Sequence, residues 1–544
     1  MKLSPEHKIA GVLCPVFAIR TENDLGIGDT DGVRQMVDWC ARHGLSVLQV
    51  LPINETGPDN SPYNAISALA IDPTTIATTP AALPGLSAED FQRLAGNVKP
   101  DGPVNYRQVK ARKRALLEAA FPKATVPAAF LQSHRWLEDY TLYRALLDEN
   151  DGNDNWESWP AEQQSPATVP AALKEKLAER RRFYAFVQWA AYRQWTALKQ
   201  YAGRRGVWLM GDIPFGVSRY SADVWAHRAL FDLEWSGGAP PEPFFKVDEF
   251  IQKWGQNWGI PLYHWPAMRR RKFDWWRTRV GNVAKVFHLF RVDHVLGFYR
   301  IYAFPWTPNR NAEFLPLSRA EAAQRTGGRL PGFRPFPDDT PEHCAANRAQ
   351  GERLLRMVCA AAGRTQVVAE DLGCVPPYVP ESLAALRIPG FKIPHFLRDH
   401  AGNFVDGATY PALSVATPAT HDHDPVAKLW RELNARHDHA ELQRWMRFCG
   451  ADHRPPPSEF TDEVHELILR GVMASNSWLA MFMITDLFGR EDRFNVPGTT
   501  GAGNWTARLH LPVREFDRDP VLQRKMARFR QLLADTHRQP CHAA

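Results

Sequence analysis

The sequence predicts a closed (β/α)8 barrel, and two patterns predict it. Eight short apolar or β-branched runs recur along the chain, and amphipathic helical stretches fit between many of them. Buried strands alternating with helices mean parallel β/α architecture, and a tally of eight favours closure into a barrel over an open sheet. At 544 residues, 44% of them hydrophobic and 23% charged, the chain is long enough to wrap such a barrel in a sizeable core and still carry insertions.

In order, the runs are "GVLCPVFAI" (11–19), "LSVLQVLPI" (45–53), "GVWLMGDIPF" (206–215), "VFHLFRVDH" (286–294), "TQVVAEDLG" (365–373), "GFKIPHFL" (390–397), "LSVATPATHD" (413–422) and "WLAMFMITDL" (478–487). The last also fits a helical period. After the first run, Val33, Met36, Val37 and Cys40 fall at i, i+3, i+4 and i+7 behind the cap candidates Asp29 and Asp31, and Gly44 is a plausible stop. Similar patterns cover about 176–203, 267–285, 345–363, 424–436 and 460–472.

The spacing of the runs is uneven, which locates the insertions. Roughly 150 residues separate the second run from the third, far beyond an ordinary βα connection. They include helix-like stretches near 107–120 and 134–148, so a helical subdomain is expected. The stretch 303–343 is rich in Pro, Gly and Arg and reads as a lid or rim loop. The expected organisation is a barrel started by 1–74, a mostly helical insertion at 75–205, barrel at 206–302, the lid at 303–343, completion of the barrel at 344–520, and a C-terminal helix and tail at 521–544.

Composition narrows the function. The net charge of +6 is spread over 66 basic and 60 acidic side chains, and the dense basic run Arg269 to Lys272 leads straight into aromatics, which reads as a solvated helix face and not a nucleic-acid footprint. No stretch resembles a signal peptide or approaches a membrane span, so a cytoplasmic protein is expected. Seven scattered cysteines without a C-x-x-C pair suggest neither disulfides nor zinc. The 19 Trp and 13 Tyr suit stacking on sugar rings, but core packing accounts for them equally well.

In such barrels chemistry sits where strands run into the loops that follow them. Four acids stand there: Asp212 in "MGDIPF", Asp293 in "RVDH", Glu370 in "VVAEDLG" and Asp422 in "ATHDHD". Four carboxylates at one mouth repel one another, which a purely structural protein has no reason to maintain. Retaining glycoside chemistry does have a reason, because it needs one ionised carboxylate to attack the anomeric carbon and one protonated carboxyl to serve the leaving oxygen. With a strand period of two, Arg291 shares a face with Asp293 and would hold it ionised, as a nucleophile requires. Glu370 would then be the acid/base, raised by neighbouring anions and burial. Asp371, on the opposite face, reads as a turn or cap residue. Asp422 is placed to stabilise an oxocarbenium-like transition state, with His294 and His421 donating to sugar hydroxyls. A structural ion pair would also explain Arg291 with Asp293, although three further acids weigh against it. His421, His423 and Asp424 also look like metal ligands, yet the other strand ends supply carboxylates and, His294 apart, no further histidine.

The blocks "RVDHVLGF", "VVAEDLG" and "ATHDHD", in this order, resemble the catalytic blocks of the 4-α-glucanotransferases (amylomaltase, or disproportionating enzyme), relatives of the α-amylases. Six more blocks agree in order and spacing: "GIGD" (26–29), "SPYNAISALAIDP" (61–73), "GDIPFGVSRYSADVW" (211–225), "GAPPEPF" (238–244), "WGQNWGIPLYHW" (254–265) and "FNVPGTTGAGNW" (494–505). The match runs over about residues 11 to 513. The resemblance implies a TIM barrel with Asp293 as nucleophile, Glu370 as acid/base and Asp422 as transition-state stabiliser. It further implies Arg291, His294 and His421 at the cleavage point, Asp212 at the same mouth, and Tyr63, Gln256, Trp258 and Asn495 lining donor and acceptor subsites. No cofactor or metal is implied. The implied partners are maltooligosaccharides, maltose, glucose and other glucan acceptors, with no nucleic acid or membrane. "DHVLGFYRIY" looks closer to the maltose-using branch than to the starch-cyclising one.

This chain departs from the family pattern at Ile260, where Asn is usual, at His423 and Pro425 in "THDHDP", and at Pro394, which fits only a strand end or bulge. These departures bear on acceptor preference. Two rival readings remain at this point: an α-glucan hydrolase with the same three acids, and a non-catalytic glucan-binding barrel.

Overall fold

The structure is a computed structural model that describes residues 5–96, 98, 102–241, 248–497, 499, 503–538 and 540. Parts of the "GAPPEPF" and "FNVPGTTGAGNW" blocks, the end of the C-terminal tail and Cys541 lie outside the described residues. Twelve strands are present among them: β1 (Ile9–Leu13), β2 (Val47–Gln49), β3 (Trp208–Ile213), β4 (Phe231–Ala239), β5 (Gln256–Tyr263), β6 (Leu289–Val292), β7 (Ile301–Phe304), β8 (Gly332–Arg334), β9 (Gln366–Ala369), β10 (Gly390–Lys392), β11 (Ser414–Ala416) and β12 (Leu479–Met483). Eight of them close into a barrel in the order β1-β12-β11-β10-β9-β6-β3-β2, every pair parallel. This is the predicted (β/α)8 architecture, and each of the eight runs supplies one barrel strand.

Alternation along the strands separates two cores. Ile9, Val47, Trp208, Met210, Leu289, Val368, Phe391, Val415, Leu479 and Met481 form one buried cluster. Their neighbours Leu48, Leu209, Phe290, Val367 and Ala480 belong to another, shared with the helices. The first set is the barrel interior and the second its outer face, as a side-chain period of two requires. The abundant tryptophan is mostly packing: Trp39, Trp156, Trp195, Trp225, Trp254, Trp276, Trp430, Trp445 and Trp478 are fully buried.

Local chemistry adjusts the expected boundaries. The first run ends as a strand at Leu13 because Pro15, with no N–H to donate, leads into the turn Val16–Ala18. The last run is both things its pattern allowed, strand β12 followed by the short helix Ile484–Phe488. Asp29 caps helix Thr30–Arg42 by accepting from the amides of Asp31 and Gly32, and Gly44 lies beyond its end at φ 75°. The helix expected over 267–285 is broken into Trp265–Arg270 and Asp274–Val286, because Lys272 and Phe273 adopt left-handed conformations. Helix His439–Phe448, absent from the sequence reading, buries Leu442, Trp445 and Met446 in a satellite core.

One stretch quoted only as a block and one read as a rim loop contain strands. The Trp-rich stretch 254–265 holds β5, and 303–343 holds the end of β7, the helices Asn311–Phe314 and Arg319–Arg325, and β8. With β4 they build a four-stranded antiparallel sheet, β5-β4-β7-β8. Proline and glycine lie within and between these elements, which hid the strands.

The opposite end of the barrel is closed by Arg538. Its buried guanidinium donates only to main-chain carbonyls: Nε to Met473, Nη1 to Ile9 and Trp478, and Nη2 to Ser475 and Ser477. Replacing it takes a donor from all five carbonyls near the β1/β12 seam, of which Trp478 keeps the Ile9 amide and Ser475 the Lys8 ammonium. Arg538→Met is therefore expected to lower unfolding stability by about 3 kcal/mol or more, read by urea denaturation, with kcat of the folded fraction unchanged.

Candidate active site

At the downstream end of the barrel the interior stripe turns polar. The Asp293 amide donates to the Ile213 carbonyl (2.9 Å), the Glu370 amide to that of Val292 (3.0 Å) and the Val295 amide to that of Glu370 (3.1 Å), so main-chain bonding continues past the strands and fixes where both acids emerge. His294 then takes φ 42°, a conformation that side chains rarely adopt, and its amide donates to Glu370 Oε2 at 2.7 Å.

One buried guanidinium organises the acids. Arg291 Nη1 donates to Asp212 Oδ2 (2.7 Å), while Nη2 lies 2.8 Å from Asp293 Oδ1 and 3.8 Å from Glu370 Oε2. This is the juxtaposition expected from the period of "RVDH". Burial pushes the Glu370 carboxyl up to about 8, against the pull of Arg291 and with help from Asp293. Asp212 is pushed up by burial in the same way, again opposed by Arg291.

The other expected residues complete a continuous chain of contacts. Tyr63 donates its hydroxyl to Asp212 Oδ2 (2.8 Å) and stacks on His421 with ring centres 5.1 Å apart and planes 7° apart. His421 Nε2 lies 3.3 Å from Asp422 Oδ2, and Asn495 Nδ2 donates to Asp422 Oδ1 at 2.6 Å. Burial raises the Asp422 carboxyl, but His421 and the Asn495 hydrogen bond outweigh it and hold the group below its ordinary value. On the far side, the exposed Trp258 meets His294 edge to face at 4.8 Å and donates its indole N–H to Gln256 Oε1 (3.2 Å). Burial lowers both histidines, His294 to about 4, so each is neutral near pH 7. All eleven residues singled out from the sequence thus surround one mouth.

Three side chains there were missed. Trp505 tilts over both Tyr63 and His421, Phe215 meets His294 edge to face, and Arg493 donates to the Asp422 carbonyl. Trp505 and Phe215 lie in quoted blocks but carried no charge to draw the eye, and Arg493 directly precedes one.

The departures resolve differently. Ile260 is buried against Gly216, where a Cβ would collide with it, and lies beside Gly237, so it packs β5 and the second sheet. Pro394 opens the turn Pro394–Phe396 after β10 has ended, and Pro425 precedes helix Val426–Ala435. His423 Nδ1 faces the Thr420 hydroxyl at 2.7 Å, and Asp424 pairs with Arg493 and Lys428, both at 2.8 Å. Among the described residues no group of three or more His, Cys, Asp or Glu side chains could hold a metal ion. Asp371 accepts from the Phe391 amide at 2.6 Å and pairs with Lys392, away from the mouth.

No helix among the described residues is long and apolar enough to cross a membrane. The profile of a family described as 4-alpha-glucanotransferase matches residues 14–513. A 4-alpha-glucanotransferase of Chlamydia caviae is 30% identical over 539 residues, covering 94% of this chain and 92% of that protein. One from Thermus thermophilus is 32% identical over 508 residues, covering 88% and 90%. Among solved structures, amylomaltase from Streptococcus agalactiae in complex with acarbose is similar in fold, with a TM-score of 0.78 at 24% identity over 98% of this chain and 100% of that one. Amylomaltase from Corynebacterium glutamicum gives 0.75 at 21% identity over 96% and 75%. By the span of the profile and the length of these alignments, the chain belongs to the 4-alpha-glucanotransferase family.

Proposed function

We propose that this 4-alpha-glucanotransferase works by double displacement with retention, with Asp293, Glu370 and Asp422 as its three working carboxylates. In the first half-reaction an Asp293 oxygen bonds to the anomeric carbon of the donor as the bond from that carbon to the leaving 4-oxygen breaks, and Glu370 gives its proton to that oxygen. In the second, the Glu370 carboxylate takes the proton of an acceptor 4-hydroxyl, whose oxygen displaces Asp293 from the sugar. Asp422 faces the positive charge that develops between the two states. The supporting observation is the division of environments around Arg291: its guanidinium contacts Asp293 directly, while Glu370 is pushed up to about 8.

Maltooligosaccharides are the proposed donors, with maltose, glucose or another glucan as acceptor, and Tyr63, Gln256 and Trp258 line the subsites. The S. agalactiae amylomaltase, similar in fold, was solved with acarbose, which fits glucan recognition at such a mouth. The "DHVLGFYRIY" block favours maltose among the donors. A cytoplasmic location fits the absence of a membrane-crossing helix among the described residues. We read 75–205 as a helical insertion and 303–343 as the rim that limits water at the glycosyl ester.

Incubation with maltotriose tests the reading. Glucose and longer oligomers at constant total reducing ends are expected, whereas rising reducing ends without longer products would make the protein a hydrolase. The pH profile tests the acid. Because Glu370 must begin protonated, kcat/KM for maltotriose is expected to hold through neutral pH and fall above about 8. A fall beginning near pH 5 would contradict its role.

A further inference from the structure

Asp422 is the most open of the three carboxylates, with 37% of its side chain exposed against 26% for Asp293 and 12% for Glu370. It lies half-buried in the irregular segment between β11 and helix Val426–Ala435, so no strand ladder holds it. Its position depends on individual bonds: the Thr420 hydroxyl and His421 act from its own segment, and the others come from the chain that follows β12.

Arg493 provides three of them. Nη2 donates to the Asp422 carbonyl (2.8 Å), Nη1 to Asp424 Oδ1 (2.8 Å) and Nε to the Asn495 carbonyl (3.0 Å). The last bond matters because Asn495 donates to the Asp422 carboxylate at 2.6 Å. One guanidinium thus fixes both the main chain of Asp422 and the residue that orients its side chain. The downstream end of the segment is tied to the same region. The fully buried Asp486, on helix Ile484–Phe488, accepts from the Val426 amide at 2.8 Å, supplying the cap that Pro425 cannot.

We infer that Arg493 is a positioning residue of the transfer reaction, holding the Asp422 carboxylate where positive charge develops on the sugar. The inference rests on the proposed role of Asp422. Arg493 touches no reacting atom, and its planar fork spans three acceptors that a lysine ammonium cannot reach together. A charge-stabilising group must be in place before the barrier is crossed, so loosening it affects the charged, flattened state more than ground-state binding.

The test is a double-mutant cycle read with acarbose, whose nitrogen-linked cyclitol ring resembles that charged state. Its affinity would be measured by calorimetry for wild type, Arg493→Met, Asp422→Asn and the double variant, with Arg493→Lys as a second variant and thermal unfolding to establish that each is folded. Arg493→Met is expected to weaken acarbose by about 10-fold or more in the wild-type background and less than about 2-fold in the Asp422→Asn background. It should lower kcat for maltotriose by a similar factor with KM changed less than about 3-fold, and Arg493→Lys should fall between. Equal weakening in both backgrounds, or none in either, overturns the inference and leaves Arg493 as a loop staple while the site reading stands. Turnover by Asp422→Asn at the wild-type rate overturns the site reading itself, and the inference with it.

Discussion

Asp293→Asn is expected to lower kcat/KM for transfer on maltotriose by about 10^4-fold or more, with little change in unfolding stability. The amide is nearly the shape of the carboxylate and its oxygen can still accept from Arg291 Nη2, so the pocket keeps its geometry. It cannot, however, form the glycosyl ester. A second variant separates a lost nucleophile from a damaged site. In Asp293→Gly the space left on that face of the sugar admits azide, and with α-glucosyl fluoride, whose leaving group needs no proton, azide should displace fluoride and yield β-glucosyl azide. Proton NMR of the product reads the anomeric configuration. Wild-type turnover by Asp293→Asn would remove it from the mechanism.

Arg291→Met is expected to damage both stability and activity. The guanidinium is the shared partner of Asp212, Asp293 and, more distantly, Glu370, and its loss leaves a buried carboxylate cluster without a cation. A cost of about 3–5 kcal/mol is expected from breaking such a buried arrangement. Its pH dependence has a definite sign. Glu370 titrates near 8 in the folded protein against about 4.3 in an unfolded chain, so folding takes up a proton between these values and its contribution to stability declines as pH rises through that window. Burial and opposition from Arg291 act the same way on Asp212. Removing the arginine raises both groups further, so the penalty of Arg291→Met should be larger at pH 8 than at pH 5. Urea denaturation of wild type and variant at the two pH values measures it, and a penalty independent of pH would mean that packing, not charge, is what Arg291 contributes.

Much of this was legible in the chain because barrel strands write their own pattern. Trp208 and Met210 inside and Leu209 outside follow from a period of two, and the same period carries Arg291 and Asp293 onto one face. Asp371, one residue past Glu370, points away to the Phe391 amide for the same reason. Loops carry no such period. Strand β5 is interrupted by Gly259 and Pro261, and β7 and β8 are only four and three residues long, so none of them shows a clear period of two and the second sheet was invisible.

What the sequence determined by itself was the barrel, the acids at the ends of β3, β6 and β9, the cation beside Asp293 and, through ordered blocks, the family. Each is a local matter, read from a few consecutive residues and the direction their side chains take. Only the tertiary structure decided that Ile260 is packing, that Tyr63 spans Asp212 and His421, that Arg493 holds the Asp422 segment, and that Arg538 seals the far end. Those are contacts between segments far apart in the chain. Burial, and with it the rise of Glu370 toward 8, exists only once these segments have closed around the site.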